Sequence, residues 1–287
     1  MIADGIPASA RRALDHVTAL SSGPPMDPGL RVTLNFHPDR HDPPILAALA
    51  AAGYYRSQFV TGTSNGGLTA HPGGDRWRWE SRIFGGAYDD AEGAERPVYG
   101  ALNFRDQGVG AAPRFGSAHF VLAAGAVHRA TFCYPDSFLE PTDFGVASAL
   151  DLVDKALADT AADAIDNYIE AQVHGPVRLG ADIEALVLDP CYQGTEVEAL
   201  ARELPCRLRW HPGFRLTLDE MARYPDFRGP EFIELAREIT PEGLLTPLVI
   251  GRAAATGKYD PQDLKRVWHY LARFGAPEAY VKVLIQR

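Results

Sequence analysis

The stretch from Tyr54 to about Gly116 limits what this chain can fold into more than any other. It has no helical periodicity and is dense in glycine, yet it holds Trp77, Trp79, Phe84, Tyr88 and Tyr99. The runs Thr61-Gly62-Thr63-Ser64-Asn65-Gly66-Gly67, His71-Pro72-Gly73-Gly74 and Phe84-Gly85-Gly86-Ala87-Tyr88 all lie within it. So aromatic a segment is not a disordered linker. Long irregular segments inside a compact domain are usually functional, and the composition predicts ordered loops and short strands around a ligand.

Regular elements flank it. Periodicity predicts a helix over 8–20 and a strand over 31–36. Pro43-Pro44 then sets up a helix over 45–52 that Gly53 closes. Further strands are expected at 97–104, 117–122, 130–134, 168–174 and 183–188, with an amphipathic helix over 147–165. Beyond Thr195 the patterns turn helical and break at Gly and Pro, including 217–224, 230–238 and 261–274. The expectation is α+β: a split, mostly antiparallel β core with flanking helices. Residues 1–195 form the core domain and 196–287 a mostly helical C-terminal extension.

Bulk properties exclude several classes. The 287 residues are 46% hydrophobic and 23% charged, ordinary values for a globular chain. A net charge of −9 argues against nucleic acid or an anionic membrane as partner. No apolar run approaches the roughly 20 residues that span a bilayer. Cys133, Cys191 and Cys206 give neither a disulfide framework nor a metal knuckle. Nucleophile-elbow, P-loop and Gly-x-Gly-x-x-Gly patterns are missing. The N-terminus lacks the basic and apolar regions of a Sec signal.

Two short segments carry ionisable groups within strand-like runs. In Leu34-Asn35-Phe36-His37-Pro38-Asp39-Arg40-His41-Asp42, the residues His37, Asp39, His41 and Asp42 offer ligands for a divalent metal. Pro38 and Pro43-Pro44 prevent a helix from stacking the two histidines, and Arg40 puts a fixed positive charge among them. A strand end entering a polar turn explains the segment as well. In Tyr168-Ile169-Glu170-Ala171-Gln172-Val173-His174-Gly175, the residues Glu170, Gln172 and His174 alternate with apolar ones. They define a polar strand face that meets either solvent or a cleft.

The order of these segments resembles the His-type ADP-ribosyltransferases. A strand ends in His37, Ile45-Leu46-Ala47-Ala48-Leu49 and Gly53 follow, and a glycine-rich stretch runs from Thr61 to Tyr88. Phe84-Gly85-Gly86-Ala87-Tyr88 is similar to a Phe-Gly-x-Gly-Ile-Tyr run, and Tyr168 to His174 resembles the late catalytic-Glu strand. Over about residues 30–195 the resemblance is narrower. Asn35-Phe36-His37-Pro38-Asp39-Arg40, Thr63-Ser64-Asn65-Gly66-Gly67, Arg96-Pro97-Val98-Tyr99-Gly100-Ala101-Leu102-Asn103 and Glu170 to Gly175 look like a bacterial family of unknown function. That family is similar to an effector that attaches ADP-ribose to a threonine of ubiquitin.

The resemblance implies NAD as co-substrate, no metal, and a protein acceptor, with ubiquitin as candidate. It implies residence in the bacterial cytoplasm or export as an effector without a Sec signal. Glu170 would be the catalytic carboxylate and His37 the NAD anchor. Arg40 or Arg56 would pair a phosphate, and Ser64, Asn65 and Gly66 would bring backbone close to the dinucleotide. Tyr88 or Tyr99 would stack on nicotinamide, although a strand Tyr such as Tyr99 is more often core. Ser117 and Gln172 complete the expected contacts, and the central one stays open among Tyr88, Tyr99 and Ser117. Tyr168 stands where arginine-modifying enzymes carry a second acid, which favours a Thr or Ser hydroxyl as acceptor. Two rivals remain: a metal-dependent hydrolase and a non-catalytic nucleotide-binding module. The transferase reading makes a geometric demand, that His37 and Glu170 line one cleft.

Overall fold

Eight strands carry the site: β1 (Val32–Phe36), β2 (Val98–Leu102), β3 (Ala118–Leu122), β4 (Ala130–Tyr134), β5 (Asp143–Val146), β6 (Ile169–Val173), β7 (Ile183–Leu188) and β8 (Arg207–Trp210). In this computed structural model, which describes residues 6–40, 43–62 and 69–276, they form one sheet ordered β8-β7-β3-β1-β2-β6-β4-β5. Every pairing is antiparallel except β8 on β7. Residues of β4 and β6 are buried throughout, as for strands covered on both faces. β8 is an edge strand that exposes Arg207, and Arg209 pairs Glu184 at 3.1 Å; such charge blunts an edge.

The sheet is continuous but forked. β1 and β2 pair only at Val32↔Leu102 and Thr33↔Ala101, while β1 pairs β3 from Thr33 to Phe36 and β2 pairs β6 from Val98 to Leu102. The α+β class and the mostly antiparallel pairing expected from the sequence are present, with eight strands in one continuous sheet. Gly100 sits at the fork. A Cβ there would stand 2.6 Å from both the Thr33 carbonyl oxygen and Leu34 Cδ2. Forcing in that methyl costs about 1–3 kcal/mol. Gly100→Ala is therefore expected to lower the thermal midpoint by several degrees; an unchanged melt would contradict the close approach.

Helices cover the sheet. The longer ones are α1 (Ala8–Leu20), α2 (Ile45–Ala52), α3 (Asp75–Ile83), α4 (Leu152–Ala158), α5 (Glu196–Arg202), α6 (Pro230–Ile239), α7 (Pro247–Ala255) and α8 (Pro261–Phe274). The main core gathers Leu34, Phe36, Phe120 and Phe132 with Leu46 of α2 and Ala201 of α5. A second core unites α6, α7 and α8 around Trp268, Tyr270 and Phe214. The third packs α1 against Ile83, Phe84 and Tyr88. Among the described residues no helix is long and apolar enough to cross a membrane.

The structure corrects three expectations. The helix over 147–165 shrinks to α4. Asp159 accepts from the Ala161 and Ala162 amides and Asp163 from Ile165, and such side chain–backbone bonds compete with helix. Within the stretch read as lacking helix lies α3, whose buried residues are Glu80 and Ile83. A face that buries a carboxylate shows no apolar stripe. Finally, a strand beyond residue 195, β8, follows α5 and joins the main sheet.

Candidate functional site

Where β1 and β2 part, a cavity of about 520 Å³ opens. His37 lies just past the end of β1, and Glu170 sits on β6. Their placement follows from register: Thr33 pairs with Ala101 of β2, and Ala101 pairs with Glu170 of β6. His37 and Glu170 both line the cavity, as do Arg56, Arg76, Tyr99 and Phe115. The geometric demand of the sequence is met.

Glu170 is 7% exposed, and both its oxygens accept hydrogen bonds. Gln172 Nε2 donates to its Oε1 at 2.9 Å, and Ser137 donates to Oε2 through its hydroxyl (3.1 Å) and amide (3.4 Å). Burial raises the Glu170 pKa above the ordinary carboxylate value. Arg76 pulls it down and Asp136 pushes it up. A carboxylate with a raised pKa becomes ionised only as pH rises through that value. Any rate that needs the anion therefore climbs along the same limb. Removing the Arg76 charge should move this limb to higher pH. For Arg76→Gln, a titration of the Glu170 carboxyl that coincides with wild type would contradict the coupling.

Arg76 and Tyr99 are locked together. The Arg76 guanidinium lies 4.1 Å from the Tyr99 ring centroid and 5.0 Å from that of Trp79, and its Nη1 is buried without a hydrogen-bond partner. Tyr99 donates its hydroxyl to Glu80 at 3.0 Å, and Glu80 pairs with Arg96 at 2.7 Å. On the opposite wall the His37 ring meets Trp268 edge-on at 4.8 Å. Trp268 is fixed by its indole N–H, which donates to the Pro113 carbonyl at 3.0 Å.

Behind Glu170 runs a buried polar relay. Thr131 donates its hydroxyl to Gln172 Oε1 at 2.7 Å and contacts His174 Nε2 at 2.9 Å; His174 Nδ1 meets the Tyr88 hydroxyl at 2.7 Å. Since the Thr131 proton goes to Gln172, His174 donates from Nε2 to Thr131 and accepts from Tyr88 at Nδ1. Burial and the nearby Arg129 charge lower the His174 pKa to about 3, which suits that neutral ring. The relay holds the Gln172 amide with its N–H₂ toward Glu170.

The other expected contacts fall elsewhere. Tyr88 is wholly buried at the far end of the relay, because its ring packs against Phe84 and its hydroxyl is held by His174. Gln172 stands one layer behind the cavity wall. Ser117 is buried against the Tyr192 hydroxyl at 3.0 Å, on the β3 side of β1. Arg40 does not line the cavity; it lies beside Asp39, whose carboxylate packs so tightly on α7 that a Cβ at Gly251 would fall 1.8 Å from Oδ2. Of the pairs left open, the cavity keeps Arg56 and Tyr99. Ser64, Asn65 and Gly66 lie outside the described residues, as do His41 and Asp42 of the metal alternative. Among the described residues, no group of three or more His, Cys, Asp or Glu is placed to hold a metal.

Sequence reasoning missed Arg76, Ser137 and Thr131. Arg76 was hidden by the unrecognised α3. Ser137 and Thr131 reach Glu170 and Gln172 across strands, with no local signal.

The chain belongs to the family described as a protein of unknown function (DUF3626), whose model matches residues 31–163 and 157–274. Both cavity walls and the C-terminal helices lie within these segments. No curated protein matches the chain.

Proposed function

We propose that the chain is a mono-ADP-ribosyltransferase that moves ADP-ribose from NAD to a Thr or Ser hydroxyl of a protein. One observation carries the reading: His37 and Glu170, remote in sequence, line one cavity at the fork of the sheet. The residues present suit a dinucleotide. The cavity is within the range of small-molecule sites, roughly 300–1,000 Å³. Tyr99 and Phe115 offer ring surface, Arg56 suits a phosphate oxygen, and the unpartnered Arg76 Nη1 is a buried donor awaiting an acceptor.

Bound NAD supplies the ribosyl carbon and a nicotinamide leaving group, with positive charge growing on the ribose as their bond breaks. Glu170 opposes that charge from a fixed position, because Ser137 and Gln172 hold both its oxygens before substrate arrives. His37 anchors the dinucleotide, its ring set by Trp268. Burial excludes water from the carboxylate and strengthens its field. Tyr168, whose hydroxyl donates to Asp136, stands where the resemblance puts a second acid, and the lack of that acid on the strand favours a hydroxyl acceptor over a guanidinium. Ubiquitin is the acceptor that the sequence resemblance offers, with the C-terminal helices as a surface to recruit it.

Nicotinamide release from NAD tests the reading when assayed with a candidate acceptor panel, with and without chelator. Release that survives the chelator supports it. Intact NAD with every acceptor would sink it, and loss of activity with removal of a stoichiometric metal would point to the hydrolase.

A further inference from the structure

A second cluster of polar groups lies away from the cavity, where α8 meets the turn at Pro113–Phe115 and the loop before α6. His269 is only 4% exposed, and neither ring nitrogen has a hydrogen-bond partner. A turn earlier on α8, Lys265 is half-buried and makes no hydrogen bond or ion pair among the described residues. Arg114 and Arg228 approach from the other elements. Both guanidiniums pair with the single carboxylate of Asp166, at 2.6 and 3.1 Å, and each leaves a buried Nε without a partner. Arg266 adds a further charge and Arg273 pairs with Asp163 at 3.0 Å.

The positive charges therefore outnumber their counter-ions in a chain whose net charge is −9. The crowding is felt locally. Burial, then Arg114, Arg266 and Arg228, lower the Lys265 pKa to about 8. Burial and the same cations hold His269 neutral, its pKa lowered to about 2. An ion-pair clamp across Asp166 and Asp163 accounts for Arg114, Arg228 and Arg273. It leaves the half-buried Lys265 and both buried nitrogens of His269 without a partner, and buried polar groups are rarely left unpaired.

The geometry points to a binding site for a phosphate-type oxyanion formed by Lys265, His269, Arg114 and Arg228. An oxyanion has acceptors for every donor left over: the ammonium, one imidazole N–H and the two guanidinium Nε–H groups. The site does not depend on the chemistry assigned to the cavity. Yet Trp268, the residue before His269, braces His37, and Phe115, the residue after Arg114, lines the cavity.

Calorimetric titration of the full chain with sulfate and then inorganic phosphate tests this. One saturable site is expected, with a rise in the thermal midpoint. It should persist in Arg56→Ala, which removes the cavity's own candidate phosphate contact. Lys265→Ala and His269→Gln should each weaken binding by about tenfold, the scale of one charge-assisted hydrogen bond. Parallel titration with adenosine monophosphate distinguishes a free anion from a nucleotide phosphate as the natural source. No saturable uptake by the wild-type chain would overturn the site. So would uptake that Arg56→Ala abolishes, or that Lys265→Ala and His269→Gln leave unchanged.

Discussion

Glu170→Gln should lower nicotinamide release at least about a hundredfold, the scale seen when one preorganised electrostatic contact is removed. NAD affinity should change only a few-fold. The substitution keeps shape and most of the hydrogen bonding, since the new amide oxygen can accept from Gln172 while its N–H₂ donates to the Ser137 hydroxyl. It removes only the charge that opposes the positive ribose, so the loss belongs to the transition state rather than to binding. Stability should move the other way. Burial raises the Glu170 pKa, so an ionised carboxylate at this position is a cost to the fold. A neutral isostere should be as stable as wild type or more so, the trade expected at a site built for function. Turnover and NAD affinity, measured together, decide the matter. A variant that keeps more than about a tenth of the rate would show that Glu170 is not the catalytic carboxylate.

Arg96→Met should destabilise the fold by about 3–5 kcal/mol, the cost of stripping one partner from a buried ion pair. Arg96 and Glu80 are 4% and 0% exposed in their side chains and meet at 2.7 Å. Arg96 also donates to the Tyr88 carbonyl at 2.6 Å, and its guanidinium lies 4.2 Å from the Phe59 ring centroid. Even with this partner, burial lifts the Glu80 pKa to about 7. An acid whose folded pKa is raised holds its proton more tightly when folded. Glu80 therefore withdraws stability as pH rises from about 4.5 to about 7. Without Arg96 that window should extend upward. The double variant Glu80→Gln/Arg96→Met should recover much of the loss, because no uncompensated charge stays buried. Denaturant midpoints of the two single variants and the double form the cycle that checks this. A loss under about 1 kcal/mol in Arg96→Met would mean the pair is solvated. The effect reaches the cavity, because Glu80 also holds the Tyr99 hydroxyl.

Much of the fold was legible where local pattern and burial agree. The helices Ala8–Leu20, Ile45–Ala52 and Pro261–Phe274 and the strands Ala130–Tyr134 and Ile183–Leu188 lie where periodicity places them. The failures have a common cause, polar residues doing work that a hydrophobic pattern cannot register. α3 escaped notice because its inward side holds Arg76 and Glu80. β8, Arg207-Leu208-Arg209-Trp210, escaped because a charged edge strand has only one half-buried face. The helix over 147–165 was overextended because Asp159 and Asp163 bond the backbone ahead of them, which apolar spacing does not show.

For the site, composition pointed to strand-end His37 and strand residue Glu170, and only resemblance linked them. What joins them physically is a two-residue pairing, Val32↔Leu102 and Thr33↔Ala101, that no local signal encodes. The different placement of Tyr88 and Tyr99 likewise rests on tertiary contacts. Tyr88 belongs to the His174 relay, while Tyr99 stands at the cavity with Arg76 across its ring.

Transfer of a label from the adenosine end of NAD to a protein tests the central claim most directly. The wild-type chain is incubated with labelled NAD, chelator and a panel of acceptors that includes ubiquitin, beside Glu170→Gln. The account predicts label on one acceptor, at a Thr or Ser, released nicotinamide in equal amount, and neither product with the variant. Unmodified acceptors and intact NAD across the panel would contradict it, as would equal labelling by the variant.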